Sequence, residues 1–145
     1  MSESPEGFSI VLYVDSAHRA EVVRLWNDVF GYETSHNEPS LVIDRKLDVD
    51  DGLLFVALHD GHVVGTVMAG YDGHRGWIYS LAVDPKLRHQ GCGSELLKTV
   101  EDALVARGCL KINLQIVQDN AEVQRFYESN GYAVEARISM GKRMY

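Results

Sequence analysis

Apolar and polar residues alternate along some stretches of the chain and recur at helical spacing along others. Residues 8–14 alternate and are rich in β-branched side chains, which predicts a strand. Residues 22–30 repeat apolar positions at the spacing of one helix face. Asp15 or Ser16 is the predicted N-cap of this helix, and Gly31 is its predicted stop. The chain therefore opens as a strand followed by a helix.

The middle of the chain predicts a short helix and then consecutive strands. The helix covers residues 39–47. Residues 53–58 and 62–71 are apolar runs joined by Asp60 and Gly61, a pair typical of a two-residue β-hairpin turn. Residues 77–83 add a third strand, so we expect an antiparallel meander.

The second half predicts one parallel strand pair. The helix after Gly93 is amphipathic, and residues 111–118 alternate cleanly, so a strand follows the helix as in a crossover unit. A further helix begins after Asp119 or Asn120, and residues 132–144 are expected to form one or two final strands. The sum is an α/β fold of the α+β type, with a mixed, mostly antiparallel twisted sheet, about four helices and one parallel β-α-β crossover.

Composition narrows the kind of protein. With 145 residues, of which 46% are hydrophobic, the chain is expected to form a single domain over residues 1–145. A net charge of −7 disfavours nucleic-acid binding through general attraction to phosphate. The acidic first residues and the lack of a long apolar run predict a cytoplasmic protein without membrane attachment. Cys92 and Cys109 lack metal-ligand spacing, so no metal site is predicted.

Candidate chemistry concentrates between the third strand of the meander and the next helix. Gly91 and Gly93 allow a close backbone approach at a helix N-terminus, where free N–H groups and the helix dipole attract anions. Lys86, Arg88 and His89 precede them and add local positive charge to an acidic protein. We expect a phosphate group to bind here.

Two phosphate-binding motifs can be compared with this segment. A Walker loop requires Gly-Lys-Ser or Gly-Lys-Thr, which is absent. A dinucleotide fingerprint requires a third glycine where the chain has Leu96, although Asp119 could act as the ribose-binding acid. A nicotinamide or flavin protein therefore stays a minor alternative.

Two further patterns lead to a family. Arg88, Gly91 and Gly93 after a strand ending in Val83 resemble motif A of the GNAT superfamily of acyl-CoA-dependent N-acetyltransferases. The run from Asn120 through Phe126-Tyr127 to Gly131-Tyr132 resembles motif B. The predicted order of elements agrees with the GNAT order over nearly the whole chain. Residues 71–76 and 107–109 look similar to the bacterial YpeA-type branch.

The resemblance implies a cosubstrate, acetyl-CoA, and a role for particular residues. The strand end would pair with the pantetheine arm, the following loop and helix start would hold the diphosphate, and Asn120 would contact the pantetheine. The implied cofactor-binding residues are Leu81, Ala82, Val83, Arg88, His89, Gln90, Gly91, Cys92, Gly93, Ser94 and Asn120. Tyr127 falls where family members place a tyrosine near the thioester sulfur, so it is the expected catalytic acid.

The resemblance implies transfer of acetyl from acetyl-CoA to a primary amine of a small molecule, peptide or protein. A lysine-like amine is neutral in only about one molecule in a thousand at pH 7.4, so such an acceptor needs a base. Residues 77–80 carry no carboxylate; His74, Tyr79 or a water relay could serve instead. The competing hypothesis is a catalytically silent acyl-CoA-binding sensor. A homodimer through the last strands would be unsurprising for a member of the family.

Each candidate residue also has a structural interpretation. Tyr127 beside Phe126 could be a core residue, and Asn120 could be only an N-cap. Cys92 between two glycines is expected to be buried rather than nucleophilic. His74 could simply lie in an exposed turn. Acidic residues near the first helices could attract a cationic amine or form a solvated face: Glu33, Glu38, Asp48, Asp50 and Asp51.

Overall fold

The chain forms two compact units, Met1–Leu114 and Gln115–Tyr145. The computed structural model describes residues 2–3, 7–31 and 35–145, with residues 2, 3 and 35 described by their backbone alone. We describe each unit separately.

The first unit is built on one sheet whose strand order follows the sequence. Its six described strands are β1 (Ser2–Glu3), β2 (Ser9–Leu12), β3 (Leu54–His59), β4 (His62–Tyr71), β5 (Gly76–Val83) and β6 (Ile112–Leu114). Neighbouring strands are antiparallel except β5 and β6, which are parallel. The described helices are α1 (Asp15–Phe30), α2 (Pro39–Val49) and α3 (Cys92–Ala106) in this unit and α4 (Ala121–Ser129) in the second. The predicted fold class, with its single β-α-β crossover through α3, is confirmed.

The meander forms because its turn residues suit it. Asp60 and Gly61 both have positive φ, 51° and 77°, the conformation that a two-residue hairpin turn requires. β4 therefore returns directly beside β3, as predicted, and the next reversal places β5 beside β4. The helix predicted for residues 39–47 is also present as α2, which runs two residues further.

Helices cover the sheet on its two faces. Thr66 of β4 faces α1, since its hydroxyl contacts the indole of Trp26. The preceding residue, Gly65, faces the other way, and a Cβ there would lie 2.8 Å from Leu96 and 3.2 Å from the Cys92 sulfur, both in α3. The missing side chain lets α3 lie close against β4. This contact fixes the beginning of α3 relative to the sheet.

The core between α1, α2 and the sheet is apolar. Its buried members are Val22, Leu25, Trp26, Ile43, Leu54, Val56, Val63, Met68 and Ala82. Trp26 is completely buried. This cluster reaches Ala82 near the end of β5, so the strand end that carries the candidate site is anchored by packing from the α1 side.

The predicted start of α1 is wrong by one or two residues. Neither Asp15 nor Ser16 is the N-cap; that position is Val14, whose N–H donates to Nδ1 of His18 at 2.9 Å. Asp15 is the first residue of the helix, and its carboxylate accepts hydrogen bonds from Tyr13 and Arg19 at 2.6 and 2.7 Å. The C-terminal stop at Gly31, in the left-handed conformation, is confirmed.

The strand predictions near the C-terminus are also corrected. The strand expected over residues 111–118 is limited to Ile112–Leu114, and residues 132–145 form no strand. Alternating residues make a strand only where a partner strand and a packing surface exist. Ile138 and Met140 are 90% and 92% exposed, so the alternation there is not matched by burial.

The second unit contains α4. Its N-cap is Asn120, as predicted, and the Asn120 side chain accepts a hydrogen bond from the Val123 N–H at 3.3 Å. No described helix in either unit has the length and apolar character needed to cross a membrane.

Candidate functional site

The candidate site begins at an irregular stretch of β5. Thr66 pairs with Ala82 and Met68 pairs with Tyr79, so Val67 of β4 faces two residues of β5, Ser80 and Leu81. Ser80 has φ 51°, in the left-handed region. This is a β-bulge, which turns the strand and changes the direction of the groups beyond it.

Beyond the bulge, the end of β5 has one edge that is not covered by β6. The β5–β6 ladder ends at the pair Ile78 and Leu114. On the other edge the Asp84 N–H donates to the Val64 carbonyl at 2.8 Å, so this N–H points towards β4. Because successive amides of a strand point to opposite edges, the Val83 N–H points away from β4.

A tight connection leads from β5 to α3. The Asp84 side chain accepts from the Lys86 N–H at 3.0 Å and starts a short 3-10 turn over Pro85–Leu87. His89 and Gly91 then adopt positive φ, 64° and 89°. Together with Arg88 and Gln90 they are exposed. The predicted basic and glycine residues therefore lie together on an exposed loop at the start of α3.

The N-terminus of α3 exposes backbone donors. No side chain among the described residues caps it, and the first intrahelical bond runs from the Glu95 N–H to the Gly91 carbonyl at 3.0 Å. The amides of Cys92, Gly93 and Ser94 precede that bond. The helix dipole adds roughly half a positive charge at this end. These three donors can bind an anion.

Cys92 lies in this first turn but has the properties of a core residue. Its side chain is 1% exposed. A helix N-terminus usually lowers a thiol pKa, whereas burial raises it. Here burial, helped by Glu95, raises the pKa of Cys92 to about 12. The thiol is therefore protonated at neutral pH, in agreement with the structural role expected for it.

Two of the three candidate bases lie in or near the turn between β4 and β5. Asp72 holds this turn by accepting from the N–H groups of His74 and Arg75, both at 2.8 Å, and these bonds lower the pKa of Asp72. His74 is exposed. Tyr79 on β5 is 48% exposed, and burial together with the charge of Asp72 raises its pKa. A raised pKa leaves even less of this phenol as phenolate, the form that could accept a proton, at neutral pH.

Asn120 and Tyr127 belong to the second unit. Tyr127 is 8% exposed, and its ring makes edge-on contacts with Phe126 and Tyr132 at centroid distances of 5.2 and 5.6 Å. Burial raises the pKa of Tyr127 to about 12. The hydroxyl therefore retains its proton throughout the neutral and mildly alkaline range.

Two of the acidic residues near the first helices, Glu38 and Asp51, have structural partners. Glu38 caps α2, and Asp51 forms an ion pair with Lys46 at 2.8 Å. Lys46 also donates to the Ala69 carbonyl of β4. Asp50 adopts the left-handed conformation that ends α2. Glu33, also named among them, lies outside the described residues.

Three residues linked by hydrogen bonds at the β5 bulge are not identified by the sequence. Ser80 forms the bulge, and its carbonyl accepts a hydrogen bond from Thr66, which in turn contacts Trp26. The only signal in the sequence is a threonine in an otherwise apolar strand run, and it does not identify a partner.

Comparisons with known proteins identify a family and similar folds. Residues 19–132 match the model of the acetyltransferase (GNAT) family. Ard1 from Thermoplasma volcanium is similar in structure, with a TM-score of 0.78 and 24% identity over 90% of this chain and 85% of that one. A PaiA N-acetyltransferase from Thermoplasma acidophilum, solved in complex with coenzyme A, has a TM-score of 0.77 and 16% identity, covering 90% and 92%. The ribosomal-protein-S18-alanine N-acetyltransferase from Escherichia coli has a TM-score of 0.68 and 20% identity, covering 86% and 76%.

Proposed function

The chain belongs to the GNAT acetyltransferase family, and we propose that it transfers an acetyl group from acetyl-CoA directly to a primary amine. The observation that carries this proposal is the open N-terminus of α3, where three consecutive amides and an exposed basic loop meet. We further propose that residues 1–145 form one acetyltransferase domain, since the family match runs across the boundary at Leu114. The YpeA-type branch stays a prediction.

The residues around α3 suit a diphosphate. The amides of Cys92, Gly93 and Ser94 donate hydrogen bonds at the positive end of the helix dipole. Arg88 and His89 add charged or polar side chains from the preceding loop, and Gln90 and Gly91 complete it. A diphosphate bound here would accept hydrogen bonds from these amides and be attracted by the nearby positive charge.

The end of β5 suits the pantetheine arm and the thioester. Leu81, Ala82 and Val83 extend beyond the β5–β6 ladder, and the Val83 N–H points to the open edge. This amide is our candidate for stabilising the acetyl carbonyl oxygen as negative charge develops on it. The Asn120 side chain already accepts from Val123, which leaves its amide nitrogen to donate to the arm.

Tyr127 is our candidate for the residue that stabilises the departing thiolate. With a pKa of about 12, it is protonated at the pH of any ordinary assay. An alkyl thiol has a pKa near 8.5, so complete proton transfer from this phenol is uphill by about 5 kcal/mol. The hydroxyl therefore acts chiefly by donating a hydrogen bond to the sulfur.

The acceptor amine loses its proton through His74 or a water relay. Tyr79, the third candidate, is disfavoured because its raised pKa keeps it protonated. An α-amine, with pKa near 8, is neutral far more often than a lysine side chain and needs less help from a base. One similar protein is a ribosomal-protein-S18-alanine N-acetyltransferase, which supports testing peptide N-termini alongside small amines and lysines.

The test of this proposal combines binding with turnover. Calorimetry with coenzyme A and acetyl-CoA measures binding, and release of free thiol over a panel of amines and peptides measures transfer. Tyr127→Phe is expected to lower kcat by about ten- to a thousand-fold with little change in coenzyme A affinity. Tyr145→Phe, at an exposed tyrosine, is the matched control. Binding without turnover on any acceptor would favour the silent sensor, and no binding of either compound would refute both.

A further inference from the structure

The bulge in β5 places a serine in a conformation that favours glycine. Bulges with a left-handed first residue usually carry glycine there, because other residues are strained in this region. Ser80 has φ 51° and is not an exposed loop residue but part of a strand paired with β4. The residues around Ser80 must therefore hold it in this conformation.

A buried chain of two hydrogen bonds reaches the bulge from α1. The indole Nε1–H of Trp26 donates to the Thr66 hydroxyl at 2.8 Å, and that hydroxyl donates to the Ser80 carbonyl at 2.8 Å. The direction of both bonds is fixed, since an indole nitrogen only donates and a carbonyl only accepts. Trp26 and Thr66 are both 0% exposed.

The position of Thr66 is unusual for its surroundings. It is the one completely buried polar side chain among the described residues for which burial is recorded, and it lies beside an apolar cluster. Burying a hydroxyl is unfavourable unless both its partners are supplied, whereas valine has the same shape and no such need. The role of a hydroxyl at this position is therefore to orient the Ser80 carbonyl, which it holds towards α1.

The direction of that carbonyl determines the backbone that follows. Ser80 precedes Leu81, Ala82 and Val83, and a rotation of its peptide turns the amides beyond the bulge. We propose that Thr66, oriented by Trp26, is a positioning residue that sets the β5 bulge for binding of acetyl-CoA. This inference rests on the proposed function, since it assigns the bulge to the site where the thioester is held.

The experiment separates a positioning role from a purely structural one. Thr66→Val keeps the shape and removes the hydroxyl, whereas Thr66→Ser keeps the hydroxyl and removes a methyl group. Both changes are expected to lower stability, the first by leaving the Trp26 N–H without an acceptor and the second by leaving a gap. Affinity for coenzyme A, measured by calorimetry well below the melting temperature of each variant, is expected to fall about tenfold in Thr66→Val and less than threefold in Thr66→Ser.

Three further tests sharpen the comparison. Trp26→Phe removes the indole donor but leaves the hydroxyl free to reach Ser80, so a loss of two- to fivefold is expected. Thr99→Val is the matched control, because the Thr99 hydroxyl donates to the Glu95 carbonyl at 2.9 Å within α3, away from the bulge. In the unliganded chain, amide NMR shifts of residues 81–83 are expected to move in Thr66→Val and to stay near wild type in Thr66→Ser.

The outcomes distinguish this inference from the proposed function. Equal affinity in wild type and Thr66→Val, or equal losses in Thr66→Val and Thr66→Ser, overturns the positioning role and leaves the proposed function intact. A wild-type chain that binds neither coenzyme A nor acetyl-CoA overturns the proposed function, and the positioning role with it.

Discussion

Helices α2 and α3 of the first unit begin in opposite ways. The Glu38 carboxylate closes the start of α2 by accepting from the N–H groups of Ser40 and Leu41 at 3.0 and 2.9 Å, and Pro39 has no N–H to satisfy. The N-cap of α3 is Gly91 in the left-handed conformation, and no side chain in the described part of the chain caps this helix. Equivalent backbone N–H groups are therefore bonded within the chain at the start of α2 and are available to a ligand at the start of α3.

Among changes at the two helix starts, the largest expected effect on coenzyme A affinity comes from placing a negative charge at the N-terminus of α3. Ser94→Asp complements the α3 dipole, so stability should be kept or slightly raised, but the carboxylate repels a diphosphate. A loss of about 2 kcal/mol, roughly thirtyfold in coenzyme A affinity, is expected by calorimetry. Ser40→Asp, in the first turn of α2, is the matched control and should leave affinity within twofold. Equal losses in both variants would remove the distinction between the two helix starts.

Removing the cap of α2 is expected to lower stability and to leave coenzyme A affinity unchanged. Glu38→Ala leaves two amide donors without their acceptor, so the free energy of unfolding should fall by about 1 kcal/mol in a denaturant titration. Coenzyme A affinity should stay within twofold, because the bonds lost lie at α2. A marked fall in affinity without a fall in stability would show that Glu38 acts in binding instead.

A smaller effect is expected from the basic loop before α3. Arg88→Gln should weaken coenzyme A binding about three- to tenfold at low salt, since one exposed positive charge is lost near the diphosphate. The difference from wild type should shrink as the salt concentration rises, because exposed charges are screened. Arg24→Gln, at an exposed arginine of α1, should change neither the affinity nor its salt dependence.

The comparison of helix starts also indicates what the sequence can predict. Asn120 was identifiable as an N-cap because its short side chain is of the type that reaches back to the first turn. Glu38 was not, since a longer carboxylate is less typical of that position. Val14 was missed because the His18 ring nitrogen one turn later accepts its N–H, a contact that depends on side-chain conformation.

The candidate site was predictable where local chemistry defines it and not where distant contacts do. Gly91 and Gly93 with their basic neighbours point to an anion site from the sequence alone. The sequence predicts a regular strand at Ser80, because residues 77–83 carry no glycine that would indicate a bulge. The Ser80 carbonyl accepts a hydrogen bond from Thr66, 14 positions away, and no local sequence pattern contains this contact.

A change at Cys92 is expected to have the smallest effect on turnover. It also tests whether the open start of α3 binds a ligand or activates a thiol. Although Cys92 lies in the first turn of α3, burial raises its pKa to about 12 from an ordinary value near 9. Because the folded thiol holds its proton more tightly than the unfolded one, its contribution to stability is complete below pH 9 and is lost as the pH rises towards 12. Cys92→Ala should therefore show a smaller fall in stability than wild type between pH 9 and 11.

In the native wild type at pH 8, iodoacetamide should leave Cys92 unlabelled by mass spectrometry, and turnover of Cys92→Ala should stay within twofold. Rapid labelling together with loss of turnover in the variant would instead make the thiol a nucleophile, and the open amides of α3 would then serve to activate a side chain rather than to hold a ligand.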